Sequence, residues 1–133
     1  MKTLFISLFI SVFAMNVFAE IPEESKNSES AKLVKMVKEA DVNDWETYTK
    51  AALYSINWNA DLELAKEWID HAIALDKNHK TLEVLGDYYL RIGEHSQALN
   101  LYMKALEINV TEIDKIAKDR LQRKIKVYAK ILK

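Results

Sequence analysis

Residues 81–109 read TLEVLGDYYLRIGEHSQALNLYMKALEIN, and their pattern is the strongest indication of the fold. Apolar and small residues recur at helical spacing in two runs, one on each side of Gly93. A glycine at such a place favours the end of a helix. The stretch therefore predicts two antiparallel helices, each with one face turned toward the other.

Small residues mark where these two helices can approach closely. Gly86 and Ala98 are expected to face each other at the crossing, and Tyr89 and Tyr102 to fill the volume beside it. The recurring positions of the two runs are Leu82, Leu85, Gly86, Tyr89, Ala98, Leu99, Tyr102, Ala105 and Leu106.

The recurring positions resemble the signature of the tetratricopeptide repeat, in which Leu-Gly and Tyr precede two Ala that flank an aromatic residue. Leu82 stands where Trp is usual, and Val110 where the closing Pro is expected. The resemblance implies an all-α fold, a short tetratricopeptide-like helical-hairpin solenoid with flanking terminal helices. An unrelated helical hairpin is the alternative.

A second, weaker copy of the pattern lies upstream, so that about two repeats are predicted. Its second helix aligns with the downstream one at an offset of 33 residues, from Ala65 to Ala98, close to the family period of ~34. At the same offset, Ala52 and Leu53 take the Leu-Gly place and Ile56 takes the Tyr place.

The chain before the repeats divides into two segments. Residues 1–19, MKTLFISLFISVFAMNVFA, combine a positive start, an apolar core and a small residue at the end, which predicts a secretory signal peptide. An uncleaved membrane anchor is the alternative. Residues 20–30 are polar, acidic and rich in Ser, which predicts a disordered tether.

Residues 31–133 are predicted to form the helical domain. A short helix over 31–40 is expected to cover the first repeat, the repeats are expected at about 44–77 and 79–109, and a capping helix at about 111–132. Asn43 or Asp44 can cap the first helix of the first repeat, and Asp61 can cap the second. Residues 111–114 resemble a capping box. Lys124 falls within the apolar ridge of the last helix, and Arg120 lies near the edge of that ridge. Either their aliphatic stems lie along the apolar surface while the charged groups reach water, or the distal half of the helix extends beyond the body of the domain.

Charge is unevenly distributed along a chain of net charge −1. Residues 110–133 contain eight Lys or Arg and three Asp or Glu, or +5, whereas residues 51–109 contain five and nine, or −4. A basic helix can attract an acidic partner, an anionic membrane surface or nucleic acid. Export and the overall acidic balance argue against nucleic acid, and an ordinary solvated capping face is the plain alternative.

The resemblance also implies a binding groove, because in this family the inner face of each repeat's first helix contacts another protein or peptide. Carried over by position, the groove residues are Lys50, Tyr54, Asn57, Trp58, Lys80, Glu83, Asp87 and Arg91. Ordinary solvated surface positions are the alternative for each of them. The family's carboxylate-gripping form needs Asn where Tyr54 stands, so that ligand is not predicted.

No sequence pattern predicts a catalytic, cofactor or metal site. His71, His79 and His95 are scattered, the chain has no Cys, and metal-ligand, phosphate-loop and nucleophile motifs are lacking in the sequence. We therefore predict no catalytic, cofactor or metal residues, and no enzyme. The sequence favours an exported protein–protein interaction module, periplasmic or secreted. The alternative is a self-associating subunit, such as a homodimer, or a membrane-surface subunit that acts through the basic C-terminal helix.

Overall fold

A computed structural model describes residues 23–108 and 113–132, and this part of the chain consists of helices joined by short turns. The helices are α1 (Glu23–Glu39), α2 (Trp45–Trp58), α3 (Leu62–Leu75), α4 (His79–Arg91), α5 (His95–Glu107) and α6 (Lys115–Ile131). Each helix packs on the next, and α2 also packs on α4. The predicted all-α fold of stacked helical hairpins is confirmed. Among the described helices, none is long and apolar enough to cross a membrane.

Short polar side chains cap the first turns of α2, α3, α4 and α6, and of the two candidates predicted for α2 the cap is Asp44. The Asp44 carboxylate accepts a hydrogen bond from the Thr47 backbone N–H at 3.1 Å, and the Asp61 carboxylate accepts one from Leu64 at 2.9 Å. Each bond satisfies a backbone donor that the first turn of a helix leaves unpaired. Asn78 caps α4 in the same way, and the Thr81 hydroxyl accepts a bond from the Asn78 N–H in return.

α4 and α5 approach closely at Gly86, and the α5 residue nearest to it is Tyr102, whereas the sequence pattern predicts Ala98 opposite this glycine. The Tyr102 ring lies where a side chain at Gly86 would be: a Cβ built there would be 2.6 Å from the ring's Cε1 atom. Tyr102 and Ala98 are both fully buried. A tyrosine ring therefore fills the space that the glycine leaves open.

The two hairpins differ by one residue, and this corrects the predicted alignment of their first helices. The caps Asp44 and Asn78 are 34 residues apart, whereas the next caps, Asp61 and Glu94, are 33 apart. The extra residue lies in the first turn, where Ala60 separates the left-handed residue Asn59 from the next cap. In the second turn, Gly93 has the left-handed conformation and directly precedes Glu94, the N-cap of α5. Ala52, not Leu53, is consequently the residue equivalent to Gly86.

The N-terminal helix is longer than predicted. It begins at Glu23, so the tether predicted for residues 20–30 is wrong from that residue onward. Residues 23–39 contain no Gly or Pro, and Pro22 stands just before the helix, where proline favours a helix start. Buried Leu33, with Val34 and Val37, anchors α1 on the first hairpin. The predicted signal peptide and residues 20–22 lie outside the described residues.

The C-terminal helix begins later than predicted. Its cap is Asp114, whose carboxylate accepts a hydrogen bond from the Ala117 N–H at 2.9 Å, and the first helical residue is Lys115. Asp114 is therefore the cap itself rather than the last residue of a capping box. Residues 109–112, which hold the predicted start, lie outside the described residues.

Two clusters of buried side chains form the core. One cluster joins α1, α2 and α3 and reaches α4 through Val84; the other joins α4, α5 and α6. The two helices of the first hairpin cross at small residues that are fully buried: Ala51, Ala52, Ala65 and Ala72. Ala117 and Leu121 hold α6 against the second hairpin.

Candidate protein-binding groove

Three helices lie side by side over one face of the molecule. α2 and α4 both begin hairpins and run in the same direction. α6 runs parallel to α4, since Glu83 pairs with Arg120 and Asp87 pairs with Lys124, both at a separation of 37 residues. A concavity of about 540 Å³ lies over the three helices, and an adjoining one of about 440 Å³ shares Asn57, Asp87 and Lys124 with it. We call the two together the groove.

Five of the eight groove residues predicted from the sequence line these concavities. They are Asn57, Lys80, Glu83, Asp87 and Arg91. Leu53, Ile56, Val84, Leu90, Arg120 and Lys124 complete the lining.

The other three predicted residues are not among those that line the groove. Tyr54 and Trp58 stack on each other with ring centroids 5.0 Å apart, and the Lys50 Nζ atom lies 5.7 Å from the Tyr54 centroid. The one-residue difference between the hairpins explains the error, because at an offset of 34 the residues equivalent to Asp87 and Arg91 are Leu53 and Asn57.

Arg120 and Lys124 lie at the floor of the groove, a role that the sequence did not reveal. Glu83 is only 5% exposed, and both of its oxygens are bound by Arg120: Nε donates to Oε1 at 2.7 Å and Nη2 to Oε2 at 2.8 Å. Lys124 Nζ lies 2.8 Å from the same Oε1. The sequence contains one indication of this role. Both basic residues lie at the apolar ridge of α6, where a charged side chain needs a buried or partly buried partner.

Asp87 forms the second part of this charged floor. It receives hydrogen bonds from the Lys124 ammonium at 2.6 and 2.9 Å and from the Tyr102 hydroxyl at 2.6 Å. Lys124 also lies 5.1 Å from the centroid of the Tyr102 ring. Burial and the neighbouring Asp87 charge raise the pKa of Tyr102 above its ordinary value, so its hydroxyl stays protonated and acts as a donor.

The pairing keeps the buried carboxylate ionised. Burial alone would raise the pKa of Glu83, but the hydrogen bonds from Arg120 and Lys124 outweigh it and hold that pKa below its ordinary value. The hydrogen bonds that Arg120 donates to Glu83 also raise the pKa of Arg120. Because Glu83 is enclosed by its two cations, it supports the groove floor and is not available to contact a ligand.

The surface left for a partner is mixed in character. Lys80 is exposed and lies 3.8 Å from Glu46, in a loose ion pair across α2 and α4. Arg91 is exposed, and no ion pair within 4.0 Å holds it among the described residues. Leu53 and Leu90 provide apolar lining between these charges. Such a surface suits an extended peptide or a helix with both apolar and polar side chains.

The histidines do not converge in the described structure. His71 Nε2 contacts the Val42 carbonyl oxygen at 3.0 Å, whereas His79 and His95 begin separate helices. Within residues 23–108 and 113–132, no three His, Cys, Asp or Glu side chains are grouped so that they could hold a metal ion.

Comparison with known proteins supports the predicted family resemblance. Residues 80–109, which cover all of the second hairpin except its first residue, match the family model described as tetratricopeptide repeat. The second hairpin is therefore similar to a tetratricopeptide repeat. No curated protein and no solved structure matches it. Tetratricopeptide repeats generally mediate protein–protein interaction.

Proposed function

We propose that the protein is an exported protein–protein interaction module, an adaptor or scaffold without catalytic activity. The observation that carries this proposal is the groove over α2, α4 and α6, with apolar Leu53 and Leu90 set between the charged side chains of Lys80 and Arg91. The matched repeat supports the same role. The partner is a peptide segment of another protein that lies along the groove.

Export is the second part of the proposal and rests on residues 1–19. The mature protein then begins at Glu20 and acts in the periplasm or outside the cell. The intact mass of the protein purified from its native source tests this directly. A mass that corresponds to loss of residues 1–19 is expected, and a mass that retains them would overturn cleavage.

A capture experiment with matched charge reversals tests the groove. The tagged full chain is expressed in its native source, crosslinked and purified, as wild type, as Arg91→Glu and as Lys104→Glu. Arg91 lies in the groove, whereas Lys104 is exposed on α5 and does not line it. Both substitutions change the net charge equally.

We expect a partner that wild type and Lys104→Glu capture equally and Arg91→Glu loses. Equal capture by all three would overturn the assignment of the groove. Recovery of the chain alone, crosslinked to itself in all three, would favour a self-associating subunit instead.

A further inference from the structure

One edge of the molecule exposes large apolar side chains from three parallel helices. Because α2, α4 and α6 run in the same direction, their C-terminal ends lie at this edge. Trp58 and Ile92, equivalent residues 34 positions apart, are 43% and 45% exposed there. On α6, Val127 is 53%, Ile131 59% and Leu132 45% exposed.

The end of α6 also projects beyond its neighbour. At the offset of 37 residues given by the ion pairs, Tyr128 is level with Arg91, the last residue of α4. Residues 129–132 therefore extend about one turn further. We call Arg123, Lys126, Val127, Lys130, Ile131 and Leu132 the distal α6 patch.

The distal α6 patch is cationic as well as apolar. Residues 120–132 contain five basic residues and no acidic one. Arg120 and Lys124 are bound to Glu83 and Asp87, which leaves Arg123, Lys126 and Lys130 exposed. Asp61 and Glu94 begin α3 and α5 at the same edge, so the cationic part of the edge is confined to α6.

We propose that the distal α6 patch, continued by Trp58 and Ile92, rests on the surface of an anionic lipid bilayer. Lysine and arginine beside exposed aliphatic side chains match anionic headgroups above the acyl boundary, and Trp favours that interface. This contact is separate from the groove and does not depend on a partner bound there.

Two other occupants fit the patch less well. A second copy in a two-fold dimer would place the same patch against itself, so that Arg123, Lys126 and Lys130 would face like charges. Nucleic acid would meet the cations, but Val127, Ile131 and Leu132 are aliphatic and offer bases no surface for stacking, and Trp58 would supply a single ring from another helix.

A fluorophore on a single cysteine can test the contact, since the native chain has no cysteine. The full chain is labelled with a polarity-sensitive dye at Ile131→Cys or, as control, at Ile116→Cys. Ile116 is 75% exposed at the opposite end of α6, about 22 Å away at ~1.5 Å per residue. Vesicles of phosphatidylcholine with phosphatidylglycerol are compared with vesicles of phosphatidylcholine alone.

We expect a blue shift and a rise in emission at position 131 with the anionic vesicles, and little change at position 116. The same change at both positions, or none at 131, would overturn the proposal. A change at 131 that appears with RNA instead of vesicles, or with rising protein concentration without lipid, would also overturn it in favour of nucleic acid or a second copy.

Paired charge variants test the cationic part. Lys126→Gln with Lys130→Gln should raise the anionic lipid concentration at half-maximal emission by about 30-fold, at ~1 kcal/mol per basic residue near the surface. Lys115→Gln with Lys118→Gln, at the other end of the helix, should leave it unchanged. Equal effects of the two pairs would contradict contact through the distal α6 patch.

Discussion

At the scale of single residues, Gly86, Tyr102 and Asp87 form a connected unit. The missing side chain at Gly86 admits the Tyr102 ring, and this ring places its hydroxyl 2.6 Å from the Asp87 carboxylate. Packing inside the second hairpin thereby sets the position of a charged group at the groove floor. The glycine of the repeat pattern thus serves both the fold and the candidate site.

Gly86→Ala should destabilise the protein by about 1–3 kcal/mol, because the new methyl group would overlap a fully buried ring. Urea unfolding measures the change. The sign of the change in the free energy of unfolding is informative, because Gly→Ala within an unobstructed helix stabilises a protein by about 1 kcal/mol. In a Tyr102→Leu background the same substitution should no longer destabilise, and a stabilised single variant would contradict the packing described.

Tyr102→Phe should lower the free energy of unfolding by about 1–2 kcal/mol, since it removes a hydrogen bond to a charged group and keeps the ring. Chemical denaturation tests this. Tyr54→Phe serves as the control, because the Tyr54 hydroxyl has no protein hydrogen bond in the described part of the chain. Equal effects of the two substitutions would show that the bond to Asp87 contributes nothing.

At the scale of helices, ion pairs tie α6 to α4. Arg120 and Lys124 are one helical turn apart, as are Glu83 and Asp87, so the four side chains meet in register. Glu83 is buried, and a buried carboxylate is tolerated when cations and hydrogen bonds compensate for its desolvation. The apolar ridge of α6 and these pairs together hold the helix in place.

Glu83→Gln should increase the local opening of α6 more than that of any other described helix. The substitution leaves two cations near a buried site without their shared counter-charge, at a cost of about 1–3 kcal/mol because Arg120 is partly exposed. Amide hydrogen exchange should show faster exchange in α6. Arg123→Gln, which removes an outward-facing charge from the same helix, should leave exchange unchanged, and equal loss of protection in both variants would contradict the ion-pair account.

The same pairs make stability depend on pH in the acid range. The pKa of Glu83 in the folded protein lies below its ordinary value of 4.5. The pairs therefore contribute fully above that pH, and their contribution is lost as the pH falls through the lower folded pKa. Urea unfolding from pH 7 to pH 3 should show a loss of stability below about pH 4.5 that is smaller in Glu83→Gln. An identical acid profile in that variant would contradict the assignment.

The helical pattern shows what the sequence could predict and what it could not. Periodicity and short capping side chains located the hairpins, because helices form from local spacing and local hydrogen bonds. The groove register on α2 was wrong by one residue, since Ala60 adds a residue within a turn where no apolar repeat constrains the spacing. The pairing of Arg120 with Glu83 joins residues 37 apart, and local spacing carries no information about such a contact.

At the scale of the whole molecule, the helices present two different surfaces. The groove lies across α2, α4 and α6, whereas the apolar edge lies at the ends of the same helices. α6 serves both: its inward residues Arg120 and Lys124 support the groove floor, and its distal end extends past α4. α6 therefore packs on the second hairpin and also supports the groove floor.

Two surfaces on one small domain suit a protein that holds a partner close to a membrane. If contact at the edge and binding in the groove are independent, a groove variant should retain its vesicle response. Arg91→Glu in the chain labelled at Ile131→Cys should show the same emission change with anionic vesicles as the labelled parent. A lost response would show that the two surfaces are coupled or that the groove variant is misfolded, and circular dichroism would distinguish these outcomes.

Site-specific photocrosslinking in the native source is the most direct test of protein binding in the groove. A photoreactive residue is placed at Asn57, in the groove, or at Lys104, on exposed α5. We expect Asn57 to yield one defined adduct with another protein, and Lys104 to yield none with it. Adducts that are the same from both positions, or that contain only the chain itself, would contradict a protein-binding groove.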